Sequence, residues 1–194
     1  DVAGSEEGDQ NCLALGRGED PLGRLAVTAG WLWHDRDIMK SRDFARGKLQ
    51  RQGQPVPVVV DCQGLGQGLY NSLGRDFGHP ATEWRSGAAP TNDLAKTRFK
   101  NRKAQFGFYL RDKLERRLVS LPSEAPNAPH KHFASTLKSQ LMQMRYEVTP
   151  AGLKLVVDPD DSPDAVDAVI QFTYGPRVPE ATVVPRPHLV SRNV

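Results

Sequence analysis

Apolar and polar positions divide the chain into short alternating and longer periodic stretches. Residues 11–16 and 25–33 alternate as strands do, and the polar turn GRGEDPLG separates them, which predicts a hairpin. Residues 37–52 carry Ile38, Met39, Phe44, Ala45 and Leu49 at helical steps, and Gly53 follows as a stop. Residues 56–60 are a continuous apolar run that ends at Asp61, the pattern of a strand covered on both faces. A helix is predicted over residues 66–73 and a short strand over 83–85. A long helix is predicted over 93–117, with Phe99, Phe106, Leu110 and Leu114 on one stripe. A strand at 118–121, a helix at 133–142 and a hairpin formed by 144–148 and 153–157 come next. Ser162 to Phe172 (SPDAVDAVIQF) reads as the last helix, with Ser162 as N-cap and Pro163 at its first position. Strands alternating with helices predict an α/β fold with a mixed central sheet flanked by helices.

Beyond Gly175 the pattern stops. Residues 176–194 hold four prolines and no helical period, so the expected organisation is one domain over 1–175 and an extended Pro-rich tail over 176–194. A chain of 194 residues is enough for one well-packed domain. No apolar run approaches the roughly 20 residues that span a bilayer, and the polar start DVAGSEEGDQ does not read as a signal peptide. Cys12 and Cys62 are too few and too far apart for a zinc site or a disulfide framework, and reduced thiols are expected. A net charge of +3 is only mildly basic, so clustering of charge carries more information than its total.

The last helix poses a chemical question. It is core-seeking, yet Asp164 and Asp167 stand in its first turn, three residues apart and on about the same side. The helix dipole accounts for Asp164. It accounts less well for Asp167, which has Ala165, Val166, Ala168, Val169 and Ile170 around it. Asp61 ends a buried-type strand, where an open α/β sheet presents its site. Asp1 is a third candidate, in the turn before the first strand. Carboxylates from separate elements repel unless a cation neutralises them. Oxygen ligands without Cys or His favour Mg²⁺ or Mn²⁺ over zinc, and two such ions about 4 Å apart can hydrolyse a phosphodiester.

The stretch VVVDCQGLGQGL imitates a dinucleotide-binding loop, but its glycines are spaced G-x-G-x-G and Asp61, Cys62 and Gln63 precede them. Its glycines instead permit close approach of backbone to the site or to a phosphate. No G-x-x-x-x-G-K-[ST] occurs in the chain.

Four stretches in order, DVAGSEEGD, VVVDCQGLGQGL, FKNRKAQFGFYLRDKL and SPDAVDAV, resemble the C-terminal nuclease domain of phage terminase large subunits, up to about Gly175. The resemblance implies a ribonuclease H-like fold and an endonuclease that cuts concatemeric double-stranded DNA when packaging starts and ends, in the cytoplasm of an infected bacterium. Its cofactors would be two Mg²⁺ or Mn²⁺ ions. Asp1 matches the first metal carboxylate, Asp61 the second, and Asp167 the ligand on the final helix. Asp164 matches as a ligand or a group supporting one, and Asp9 matches a recurrent acidic position. One ion, at Asp1 and Asp167, would activate water; the other, at Asp1 and Asp61, would stabilise the departing 3′ oxygen. The implied partners are an ATPase domain on the N-terminal side, a small terminase subunit and a portal. Compared with that family, the strand leading into Asp1 is missing, so the chain looks trimmed there and free of motor activity. Where many relatives carry a lysine before the last helix, this chain reads VVDPDDSPD, with Asp158, Asp160 and Asp161.

Lys96, Arg98, Lys100, Arg102 and Lys103 crowd the start of the predicted long helix and form the candidate DNA-binding face, able to hold phosphates without reading sequence. The tryptophans Trp31 and Trp33 read as packing residues, and the HKH triplet at His130–His132 as surface. A junction-resolvase-like nuclease and a non-catalytic module docking on DNA or a portal are the alternative readings.

Overall fold

The computed structural model describes residues 10–63, 66–156 and 162–175. Asp1, Asp9, the acidic stretch at Asp158, Asp160 and Asp161, and the tail over 176–194 lie outside the described residues.

The order of elements is β1 (Asn11–Arg17), β2 (Leu25–Trp33), α1 (Ile38–Gln50), β3 (Val58–Asp61), α2 (Gly66–Asn71) continuing in a π-helical turn (Ser72–Asp76), β4 (Ala81–Trp84), α3 (Asp93–Arg98), α4 (Arg102–Glu115), β5 (Val119–Ser120), α5 (Lys131–Gln143), β6 (Arg145–Thr149), β7 (Gly152–Val156) and α6 (Asp164–Tyr174). The fold is mixed α/β. The strands are divided among three sheets, where the sequence predicts one central sheet. The first sheet runs β1-β2-β5, with β1 antiparallel and β5 parallel to β2. The second pairs β3 and β4 in parallel, and β6 and β7 form a separate antiparallel hairpin. The division has a physical basis in the free edges. Among the described residues no strand lies between β1 and β3. Successive residues Cys12–Arg17 of β1 and residues Val56–Val59, which lead into β3, line a cavity of about 1010 Å³.

α6 lies across both sheets and holds them together. It is apolar almost all round, and Ala165, Val166, Val169 and Ile170 are at most 1% exposed. They pack with Trp84, Phe106, Leu110, Phe133 and Leu137 into the main core, which is what a helix lacking a polar face requires. A second cluster, Leu49, Val58, Val60, Leu69 and Leu73, seals β3 under α1 and α2. Cys12 and Cys62 are buried and in no disulfide, and burial pushes their thiols up to about 12 and about 11. Trp33 packs on Phe44 and donates from Nε1 to Ser41 Oγ, while Trp31 meets His130 edge-on.

Two elements differ from the sequence expectation. The long helix over 93–117 is two helices. Asn92 and Asn101 each accept a hydrogen bond from the main-chain N–H three residues on, at Ala95 (2.8 Å) and Ala104 (2.9 Å), so each starts a helix. Between them Phe99 is extended and bridges to Leu153, and the Lys100 N–H donates to the Leu153 carbonyl at 2.9 Å. The second difference is at α6, where Ser162 is not the N-cap and Pro163 takes that place without a side-chain cap. The unpaired N–H groups of the first turn are met from another helix. Gln140 of α5 accepts from Ala165 and Val166 through Oε1 and donates from Nε2 to the Ser162 carbonyl.

Candidate functional site

β3 delivers Asp61 at its last position, 9% exposed, beside the parallel end of β4 at Trp84. The chain then turns at once. The Gln63 N–H donates to Asp61 Oδ1 at 3.0 Å, and Gln63 Oε1 accepts from Ser86 Oγ, which ties this turn to the loop after β4. α2 begins so close that a Cβ on Gly66 would lie 1.6 Å from the Asp61 carbonyl oxygen. Only glycine permits that approach. Gly66 thus lets the helix fold back on the carboxylate's own backbone.

α6 supplies the other two described carboxylates. Asp164 is 4% exposed and sits in hydrogen bonds: the Gln10 N–H donates to Oδ2 at 2.9 Å and Ser162 Oγ donates to Oδ1 at 2.7 Å. It anchors the segment entering β1 to the start of α6. Asp167 lies one turn on. Its Oδ2 accepts from Lys103 Nζ at 2.7 Å, with the two side chains 18% and 22% exposed. Its Oδ1 is buried and has no hydrogen-bond partner among the described residues. A buried carboxylate oxygen left without a partner is costly and points to a group still to be bound.

Lys103 belongs to the first turn of α4, and its position follows from the helix break. With Asn101 as cap, the Lys103 N–H donates to the Ser86 carbonyl and the Arg102 N–H to the Ala88 carbonyl, which fixes the helix start against the loop after β4. The five basic residues are divided among α3, the break and α4. Lys96 and Arg98 lie exposed on α3, and Lys96 pairs with Asp93. Lys100 is exposed in the break. The Arg102 guanidinium lies over the Tyr174 ring at 5.2 Å, and Lys103 points to the carboxylates. Sequence reading missed Gln140 and the pairing of Lys103 with Asp167. Both join residues far apart in the chain, and no local pattern marks them.

The charges are coupled. Burial raises the Asp61 carboxyl above its usual range, against the Gln63 N–H and the charges of Lys103 and Arg85. Burial likewise raises Asp167, opposed by Lys103 and reinforced by Asp164 and Asp61. A raised carboxyl binds more protons folded than unfolded, so it subtracts stability as pH climbs from the unfolded value toward the folded one. Without divalent cation the protein is therefore expected to lose stability as pH rises from about 4, the ordinary Asp value. Asp61→Asn should flatten that loss. Urea unfolding at stepped pH measures both slopes, and equal slopes would show that Asp61 is not under this strain.

Among the described residues no three His, Cys, Asp or Glu side chains form a ready metal cage, and no helix is long and apolar enough to cross a membrane. Asp61 and Asp167, with Lys103 as their common cation, make up the described centre. HKH adds nothing to it: His130 Nδ1 contacts the Gly30 carbonyl, and His132 is exposed.

The backbone is similar to solved nuclease domains. The nuclease domain of the large terminase subunit gp2 of bacterial virus Sf6 matches with a TM-score of 0.67 and 19% identity, over 89% of this chain and 91% of that one. A lysine-to-alanine mutant of that domain with manganese and beta-thujaplicinol matches with a TM-score of 0.68 and 20% identity, over 89% and 86%. The mutant with calcium matches with a TM-score of 0.66 and 21% identity, over 84% and 83%. No protein-family model and no curated protein matches the sequence. The likeness establishes the fold, which is that of a terminase nuclease domain.

Proposed function

We propose that the chain is the divalent-metal-dependent endonuclease domain of a viral DNA-packaging terminase, with a ribonuclease H-like fold. It would hydrolyse phosphodiester bonds of double-stranded DNA with little sequence preference. The observation that carries this reading is the Asp61–Asp167 centre, in which one buried carboxylate oxygen has no partner among the described residues and the Lys103 ammonium pairs with Asp167. The structural neighbours include nuclease domains holding manganese or calcium, which supports a divalent cation here.

The donor set fits such ions. It is all oxygen, and its Asp167 Oδ1 has no partner among the described residues. Asp61, Asp167 and Asp1 would together hold two Mg²⁺ or Mn²⁺ ions. When bound, the ions would activate water and stabilise the departing 3′ oxygen. The protein's own contribution is placement. The Gln63 N–H holds the Asp61 carboxylate, Gly66 lets α2 close on the Asp61 backbone, and Gln140 holds the first turn of α6. Asp164 acts as a positioning residue through Gln10 and Ser162, beside any direct contact with an ion. Lys96, Arg98 and Lys100 would meet phosphates first, with Arg102 and Lys103 nearer the carboxylates. The partners of this reading are concatemeric viral DNA, an ATPase domain, a small terminase subunit and a portal, in the cytoplasm of the infected cell.

Supercoiled plasmid incubated with the protein tests it. With Mn²⁺ or Mg²⁺ the plasmid should become nicked and linear, and with chelator it should stay supercoiled. Plasmid that stays supercoiled with every cation, or cutting that persists in chelator, would overturn the reading.

A further inference from the structure

We infer that Lys103 is a built-in counter-ion that holds the place of a divalent cation at Asp167 and must leave before the cation binds. The inference rests on the metal-dependent reading above.

The geometry supports this in three ways. First, Lys103 Nζ lies 2.7 Å from Asp167 Oδ2, and both side chains are largely buried. An ion pair so placed is screened far less than a surface pair. Second, the ammonium satisfies one Asp167 oxygen only; Oδ1 stays buried and unpartnered. Lys103 thus offsets the Asp167 charge without saturating its carboxylate. Third, the backbone under Lys103 is fixed by the Asn101 cap and by its N–H bond to the Ser86 carbonyl, so only side-chain torsions can move the charge. Its neighbours are committed elsewhere. Lys96 pairs with Asp93, and Arg102 stacks on Tyr174.

An ammonium and a divalent cation cannot share this carboxylate without strong repulsion. Binding the cation therefore costs the Lys103–Asp167 pair. The released ammonium needs a new anion, and a phosphate of bound DNA is the group a lysine would take. DNA and cation would then favour each other's binding through one side chain, and the coupling would be reciprocal. A protein without DNA would hold its metal weakly.

Isothermal titration of Mn²⁺ into the wild-type chain, Lys103→Met and Lys103→Arg tests this. Removing the ammonium should tighten Mn²⁺ binding by at least about tenfold, whereas Arg, which keeps the charge, should stay near wild type. Lys103→Met should also melt at a lower temperature without metal and regain stability with Mn²⁺. Lys103→Gln, which can still donate to Oδ2, serves if the Met variant does not fold. Mn²⁺ binding that is equal or weaker in the neutral variants would overturn the inference and leave the metal site standing; a lower melting temperature alone would mark a merely structural pair. Absence of Mn²⁺ binding in wild type and variants alike would remove the metal reading itself.

Discussion

Asp61→Asn is expected to abolish metal-dependent DNA cleavage while leaving the fold at least as stable as wild type. The two effects share one cause. Asp61 is buried at a strand end, and burial already disfavours its charged form. Asn keeps the shape and an oxygen for the Gln63 N–H, but removes the charge, so the cost of burying an anion disappears. The same charge is what would hold a cation. Losing a metal ligand removes several kcal/mol of transition-state stabilisation, so the rate should fall by about a thousandfold or more. Asp167→Asn should lose activity to the same degree but without the gain in stability, because Lys103 is then left half-buried without its anion. Asp164→Asn should behave differently again. Asn can accept one of the bonds from Gln10 and Ser162 but not both as well, which costs about 1–2 kcal/mol of stability. Nicking rates and urea unfolding on the three variants separate these patterns. Asp61→Asn that cuts within tenfold of wild type would sink the assignment.

What could be read from the sequence, and what could not, follows the range of the interactions involved. That Asp61 closes a strand follows from VPVVVD itself, since a continuous apolar run must be covered and a carboxylate ends it. The β6–β7 hairpin follows from alternation about TPAG, and Gly152 takes the positive φ its turn needs. The helix over 93–117 reads as one because Phe99, Phe106, Leu110 and Leu114 keep helical spacing across the break. Yet Asn92 and Asn101 each stand three residues before an alanine whose N–H they cap, a local signal that apolar spacing overrides on paper. Whether Phe99 continues the helix or leaves it is decided by Leu153, some fifty residues on. Ser162-Pro163 makes a good cap in isolation, but Gln140 reaches the same N–H groups from α5 and displaces it. The division of the sheets is illegible in a different way. Periodicity marks strands and says nothing of which edges meet.

The helix break also decides where DNA would be held, and this leads to a measurable salt dependence. One continuous helix would set Lys96, Lys100 and Lys103 on one face and Arg98 and Arg102 on the opposite one. The observed break leaves Lys96, Arg98 and Lys100 exposed and turns Arg102 and Lys103 inward. On the proposed function, the exposed three would be the phosphate contacts of first encounter. Each such contact releases about one counterion, so replacing all three with Gln should reduce the slope of log K against log salt by about 3. At about 0.15 M salt, the release of three counterions corresponds to roughly a hundredfold weaker binding. The loss should be uniform across DNA sequences, because phosphate contacts do not read bases. Lys96 should contribute least, since Asp93 already holds it at 2.8 Å and must be given up. Fluorescence anisotropy with a short duplex in Ca²⁺, across a salt series, measures slope and affinity together. A triple variant with an unchanged slope would place the DNA on another surface and leave the exposed lysines and arginine as ordinary solvated charge.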